Sequence, residues 1–267
     1  MSKKLLIATG LLLSLHTSAA LAANLAKGIQ AFENKDYAIA LAELSPLAKE
    51  NNLEAMNYLG QMYEFGLGVD ADEQEALKLY NRCADQGNLG CVDSRRAYKD
   101  KGYKVELESI QPAAEGGDAT AQNRLGEMYE FGYGVKRDPV KAIEWYKRAA
   151  DQELVLAQHN IGRSYNFGTG VQQDFTQAER WYRKAAEQGH MDAMFFLGAL
   201  YSNAHGGDAS HGTNISAYAW LQNAMELGNP TARAIQSRIV MKLSDKELEE
   251  AKRLAEDYKN KFVTPFK

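Results

Sequence analysis

The sequence has little of several things, and each shortage excludes something. Cysteine occurs only twice, at Cys83 and Cys91. The two do not form a Cys-x-x-Cys pair, so dithiol redox chemistry is excluded. No cysteine lies near residue 22, which argues against a lipid-anchored protein. Basic residues number 31 against 35 acidic ones, for a formal charge of −4. A nucleic-acid binder needs a dense basic face, and that balance does not provide one. After residue 22 no run is apolar and long enough to cross a bilayer. There is no Gly-x-Ser-x-Gly, Ser-x-x-Lys, His-Glu-x-x-His or phosphate-loop pattern. The carboxylates are plentiful but scattered. No catalytic residue, cofactor or enzymatic activity is therefore expected.

What is present begins with an address. Lys3 and Lys4 precede an apolar run from Leu5 to Leu15, and Ala20-Leu21-Ala22 offers small residues at a cleavage position. Residues 1–22 read as a signal peptide cut after Ala22, which implies a periplasmic or secreted protein. Removing the peptide takes away two lysines and leaves the mature chain two charges more negative.

The dominant feature is internal repetition. The stretch Leu59 to Val69 recurs as Leu125 to Val135 and again as Ile161 to Val171, with a worn copy from Leu197 to Tyr201. Residues 26–91 laid over 92–157 without a gap match at 24 of 66 positions, too many for chance. Each unit reads as two helices. Ala55, Leu59, Met62 and Tyr63 share one face of the first helix, and Ala76, Leu77, Tyr80 and Ala84 share one face of the second. Gly60, Gly126, Gly162 and Gly198 fall inside the first helices. A mid-helix glycine costs roughly 0.5–1 kcal/mol, so four at one repeat position imply a neighbour too close for a side chain. Asp72, Asp138 and Asp174 stand where the second helices open, and Pro139 takes a first helical position. Ser244-Asp245-Lys246-Glu247 is a capping box for a last helix.

The Leu-Gly-x-x-Tyr stretch, the Gly-x-Gly-Val loop, the Asp, and the pairs Trp145-Tyr146 and Trp181-Tyr182 resemble the Sel-1-like repeat family, relatives of tetratricopeptide repeats. The resemblance covers essentially the whole chain after residue 22. It implies an all-α, right-handed solenoid of about seven antiparallel helix pairs. Residues 23–52 resemble a tetratricopeptide-like first pair, and 53–228 a Sel-1-like array with a degenerate unit at 89–116. Residues 229–267 resemble a helical cap. The family implies a non-enzymatic scaffold for a peptide or partner protein, without nucleic acid or a membrane span, and a monomer is expected. Some cysteine-rich relatives are associated with β-lactam binding or hydrolysis. That alternative would have to do without the Ser-x-x-Lys of serine β-lactamases.

Cys83 and Cys91 align with Ala149 and Ala157, and with Ala185 and Ala193, one or more units on. Small residues at both ends imply a close corner where a disulfide fits, and the eight-residue offset is similar to that of cysteine-rich relatives. Two buried free thiols are the other reading.

By likeness to tetratricopeptide solenoids, the outward face of each first helix would line the concave side. At 100° per residue, Asn57, Gln61, Glu64 and Phe65 point away from the packing face. Their equivalents are Asn123, Glu127, Glu130 and Phe131, then His159, Arg163, Asn166 and Phe167, then Phe195, Ala199, Ser202 and Asn203. The amides and charges are candidate contacts to a partner. The phenylalanines either join them or pack under the glycine loops. His205, Asp208 and His211 share a glycine-containing loop and could offer three metal ligands. A flexible polar insertion is the simpler reading, since no rigid element fixes them, and no metal is expected.

Overall fold

The computed structural model describes residues 21–206 and 211–266. The proposed leader up to residue 20, and Asp208 of the histidine loop, lie outside the described residues. Those residues form helices and no strands. In chain order they are α1 (residues 21–33), α2 (Tyr37–Lys49), α3 (Leu53–Phe65), α4 (Glu73–Ala84), α5 (Leu89–Glu115), α6 (Ala119–Phe131) and α7 (Pro139–Ala150). Then follow α8 (Val155–Phe167), α9 (Phe175–Ala186), α10 (Met191–Ser202), α11 (Thr213–Glu226), α12 (Ala232–Val240) and α13 (Asp245–Phe262). The helices pack in adjacent pairs, as an all-α solenoid requires.

The chain divides after Gly102 into two compact units. In the first, α3 packs on α2 and α4. In the second, α6 through α11 pack each on the next, and α11 receives both α12 and α13. The dividing residue lies inside α5, which is one unbroken helix of 27 residues. A pair of helices was expected from 89–116, and the difference has a local cause. At the position of the Lys35-Asp36-Tyr37 turn stands Lys101-Gly102-Tyr103, which lacks the aspartate. No glycine loop follows, so nothing stops the helix.

The expected close approach at the mid-helix glycines has a specific agent. A Cβ on Gly60 would stand 2.5 Å from the Tyr80 ring, one on Gly126 2.6 Å from Tyr146, and one on Gly162 2.6 Å from Tyr182. All three rings are fully buried. Each first helix thus gives up a side chain so that the tyrosine of its own partner helix can lie on its backbone. At Gly198 the neighbour is Leu221, at 2.7 Å.

The loop glycines carry the second constraint. Gly66, Gly132 and Gly168 end the first helices in the left-handed region, where glycine has no steric penalty. Two residues later, Gly68, Gly134 and Gly170 press against the backbone or Cβ of Tyr37, Tyr103 and Pro139, the same position of the preceding unit. The second helices then start on Asp72, Asp138 and Asp174, whose carboxylates accept from backbone amides two or three residues on. Ser244 and Glu247 cap α13 reciprocally.

At the corner between consecutive pairs, Ala149 with Ala157 and Ala185 with Ala193 are fully buried. Cys83 and Cys91 hold the equivalent corner and are joined by a disulfide, with their Cα atoms 5.8 Å apart. At the other end, Trp220 of α11 lies against Tyr258 and Phe262 of α13, and the Asn223 amide donates to the Ala255 carbonyl.

Replacing Gly126 with alanine forces the buried Tyr146 ring to move. We expect a loss of about 1–3 kcal/mol in urea unfolding, the ordinary cost of overpacking, with native helicity retained by circular dichroism. Replacing Cys83 and Cys91 together by alanine restores the corner used elsewhere but removes the crosslink. The expected loss is about 2–3 kcal/mol for so short a loop, read by the same unfolding curves.

Candidate partner-binding face

The face assigned to partner contacts runs along each first helix, from Asn57, Asn123 and His159 to the closing phenylalanines. Phe65, Phe131 and Phe167 close α3, α6 and α8 and are 58%, 46% and 59% exposed. They do not pack under the glycine loops, so the core alternative is set aside. The left-handed glycine that follows each turns the chain away and leaves the ring at the surface. Lys101 lies 6.0 Å above the Phe65 ring, and Arg163 lies 5.3 Å above that of Phe131.

The polar candidates divide into two kinds. Asn57, Gln61, Glu64, Glu127, Arg163 and Asn166 are half-buried. Asn123, Glu130 and His159 are buried, at 3%, 6% and 7% exposure, so the outward orientation read from the helical period does not hold for them. The reason is the next first helix in line. Asn160 of α8 donates to the Asn123 side-chain oxygen at 3.0 Å, and Asn123 donates to Glu127 at 3.0 Å. In the first unit Ser94 donates to Asn57 at 2.8 Å. His159 stacks on His190 at 4.7 Å and lies against Phe196 of α10. These residues tie neighbouring helices together.

Glu64 and Glu130 have a second duty that the sequence reading missed. The Tyr80 hydroxyl donates to Glu64 at 2.9 Å, and the Tyr146 hydroxyl donates to Glu130 at 2.7 Å. Arg163 donates to the same Glu130 oxygen at 2.6 Å. Each carboxylate therefore fixes the tyrosine that covers the mid-helix glycine. The recurring sixteen-residue spacing from Glu to Tyr was the available signal. Burial, followed by the adjacent carboxylate, raises the proton affinity of Tyr80, and the same causes act on Tyr146. Both hydroxyls stay protonated as donors. Beside this network, Arg124 makes a two-pronged pair with Glu106 and a further bond to Glu127.

His159 is the electrostatic exception. Burial, with His190 and Arg163 close by, pulls its imidazole down to about 3. Burial lowers His190 as well. The ring nitrogen Nδ1 of His159 and the Tyr182 hydroxyl are buried without a hydrogen-bond partner among the described residues. In the insertion loop, His205 stacks on Phe175 and His211 lies 3.4 Å from Glu250, so the two imidazoles engage different neighbours. Among the described residues no cluster of three metal-binding side chains occurs.

Comparison with known proteins adds the following. A family model described as Sel1 repeat matches residues 53–88, 119–154, 155–190 and 192–229, more than half of the chain. The crystal structure of a protective antigen of uropathogenic Escherichia coli strains, displaying an SLR fold, is similar at 30% identity and a TM-score of 0.55. The match covers 94% of this chain and 56% of that one. A Sel1 repeat protein from Oxalobacter formigenes is 28% identical, with a TM-score of 0.47 over 87% of this chain and 99% of that one. Chitin synthase regulatory factor 3 of Schizosaccharomyces pombe is 36% identical over 103 residues, 35% of this chain and 11% of that protein. The chain spans about a tenth of the length of the curated relatives it matches.

Two outcomes follow from the network. Tyr146→Phe leaves Glu130 short of a donor and should cost about 1–2 kcal/mol in urea unfolding, whereas Tyr182→Phe removes an unpaired hydroxyl and should be close to neutral. The second concerns pH. The folded state holds His159 near 3, below an unfolded value near 6.5. Stability from its neutral form is therefore complete above about pH 6.5 and declines as pH falls from there toward 3. Relative to His159→Asn, the native chain should lose about 2 kcal/mol between pH 6.5 and 5, measured as the difference between two denaturation series.

Proposed function

This chain belongs to the Sel1 repeat family, and on that premise we propose that it is an exported, non-enzymatic scaffold. It holds an extended peptide or partner protein along the first-helix face. Sel1 repeat arrays are protein-interaction scaffolds in general, and the finer reading draws on this chain's own surface. The observation that carries it is the exposure of Phe65, Phe131 and Phe167 at one repeat position, each beside half-buried polar groups such as Gln61, Glu127 and Asn166. Apolar rings exposed at one repeat position offer contact area to another molecule. Aromatic rings supply apolar area at little entropic cost, and neighbouring amides pair with an extended backbone.

Export rests on the composition of residues 1–22, with Lys3, Lys4, the Leu5 to Leu15 run and Ala22 at the cut. No helix among the described residues is long and apolar enough to cross a membrane. The Cys83–Cys91 bridge accords with an oxidising compartment.

A photoreactive residue at Glu127, installed in the living cell, tests the face. The expected result is one reproducible crosslinked protein that disappears when Phe131 and Phe167 are both replaced by serine. A crosslink pattern indistinguishable from that of a residue on the opposite face, such as Lys147, overturns the reading. Mass spectrometry of the mature chain from the periplasmic fraction or medium should find Ala23 as its first residue. An intact Met1 terminus overturns export.

A further inference from the structure

The first-helix face continues past the last family repeat. Asn229 accepts a hydrogen bond from the Ala232 amide at 3.1 Å. Asn52, Asp118 and His190 accept in the same way from Ala55, Ala121 and Ala193 at the start of α3, α6 and α10. The match makes α12 a shortened first helix and fixes its register. Ten residues beyond these alanines stand Phe65, Phe131 and Asn203, and in α12's unit Lys242. Six beyond stand Gln61, Glu127 and Ala199, and then Arg238. At its C-terminal end the face therefore exchanges rings and amides for two cations.

α12 packs on α10 and α11. Between α12 and the end of α10 lies a cavity of about 250 Å³, lined by Ser202, Asn203, Ile235, Arg238, Ile239 and Lys242. Ile239 is fully buried and Ile235 half-buried, so the floor is apolar. Arg238 and Lys242 are exposed, and no acidic residue lines the cavity. Arg238 donates to the Ala234 carbonyl of its own helix, and among the described residues neither cation forms an ion pair. Other cavities are different. The one at the α11–α12 corner sets Glu226 against Arg233, and the one beside Trp181 sets Asp151, Glu153 and Glu187 against Lys184. The α10–α12 cavity is smaller than the about 300–1,000 Å³ of drug-sized ligand sites, and its volume suits one residue. An apolar floor beneath unpaired cations selects a group that is apolar at one end and anionic at the other. The last residue of a peptide has both parts on one Cα. An internal aspartate or glutamate brings the carboxylate and nothing for Ile235 and Ile239.

We propose that this cavity holds the C-terminal residue of the bound partner, an aliphatic one, with its side chain on Ile235 and Ile239 and its carboxylate between Arg238 and Lys242. Hydrogen bonds from a guanidinium or ammonium group to a carboxylate are the strong ones, and the Asn203 amide adds a further donor. Capture of a terminal carboxylate is also a recurring mode of peptide recognition. The proposal rests on the scaffold reading above and gives the partner a direction. Its chain passes Phe131 and Phe167 and ends at α12.

The test uses the full chain and four peptides. Ac-Ala-Phe-Ala-Phe-Ala-Leu has a free C-terminus, and a second peptide is its C-terminal amide. The third is the free acid with glycine in place of leucine. The fourth, Ac-Ala-Phe-Ala-Asp-Ala-Leu-NH2, carries an internal carboxylate only. Binding is followed by NMR shifts of the Ile235 and Ile239 methyl groups. The leucine acid should bind at least about tenfold more tightly than its amide, the size of one hydrogen bond between charged groups. The glycine acid and the aspartate peptide should both be weaker than the leucine acid. Arg238→Gln with Lys242→Gln, both at exposed positions, should remove the preference for the acid, and Arg233→Gln, on the same helix but outside the cavity, should leave it. Equal binding of acid and amide overturns the proposal. So does tighter binding of the aspartate peptide, no binding of the leucine acid at millimolar concentration, or equal loss in Arg233→Gln, which would mark general charge attraction. These titrations need no cellular partner. A partner crosslinked from Glu127 equally in the native and the Arg238→Gln, Lys242→Gln chains removes the cavity from recognition and leaves the scaffold, whereas absence of a face-specific crosslink in the native chain removes the scaffold itself.

Discussion

The array depends on a tyrosine ring lying directly on a helix backbone. The first helices carry a glycine at the contact point, and the Tyr80, Tyr146 and Tyr182 rings fill the space a Cβ would need. The contact sets how closely two helices of a pair approach. It also explains why a residue unfavourable in a helix interior recurs at the same place. The carboxylates of Glu64 and Glu130 hold the first two rings from their polar ends. Apolar packing and a buried hydrogen bond thus act on one side chain, so the position of the ring is fixed in both depth and rotation.

Much of this was legible in the sequence. Self-similarity gave the helix pairs, the spacing of Asp72, Asp138 and Asp174 gave the start of the second helices, and small residues at the corners gave the approach of Cys83 to Cys91. Each of these is local or repeats at a fixed period. What was not legible depends on a second helix. The helical period orients Asn123, Glu130 and His159 relative to their own axis, but it carries no information about Asn160, Tyr146 or His190, which cover them. The phenylalanines were ambiguous for the same reason, because burial or exposure of Phe65 depends on the course of the loop behind Gly66. The unbroken α5 was missed because an absent turn signal looks like a worn one.

The polar candidates gain meaning from this division. Residues that link neighbouring first helices, such as Asn123 with Asn160 and His159 with His190, sit beneath the surface and belong to the stacking of the array. A buried polar pair has a directional requirement that an apolar pair lacks, and it penalises a slipped register more than a missing methyl would. The half-buried residues Glu127, Arg163 and Asn166, with exposed Phe131 and Phe167, reach the surface of the proposed binding face. Buried residues that link helices and residues that reach the surface therefore alternate along one helix, a few residues apart.

The glycine and its tyrosine are only twenty residues apart in the three units that carry both, as in Gly60 with Tyr80 and Gly126 with Tyr146. Every defining contact is consequently made within a unit or with the next one. Such low contact order favours rapid, stepwise assembly along the chain. It also makes the 36-residue module a natural currency of genetic change: copying or deleting one module carries its own ring, glycine and cap, and leaves the remaining modules with the neighbours they already had.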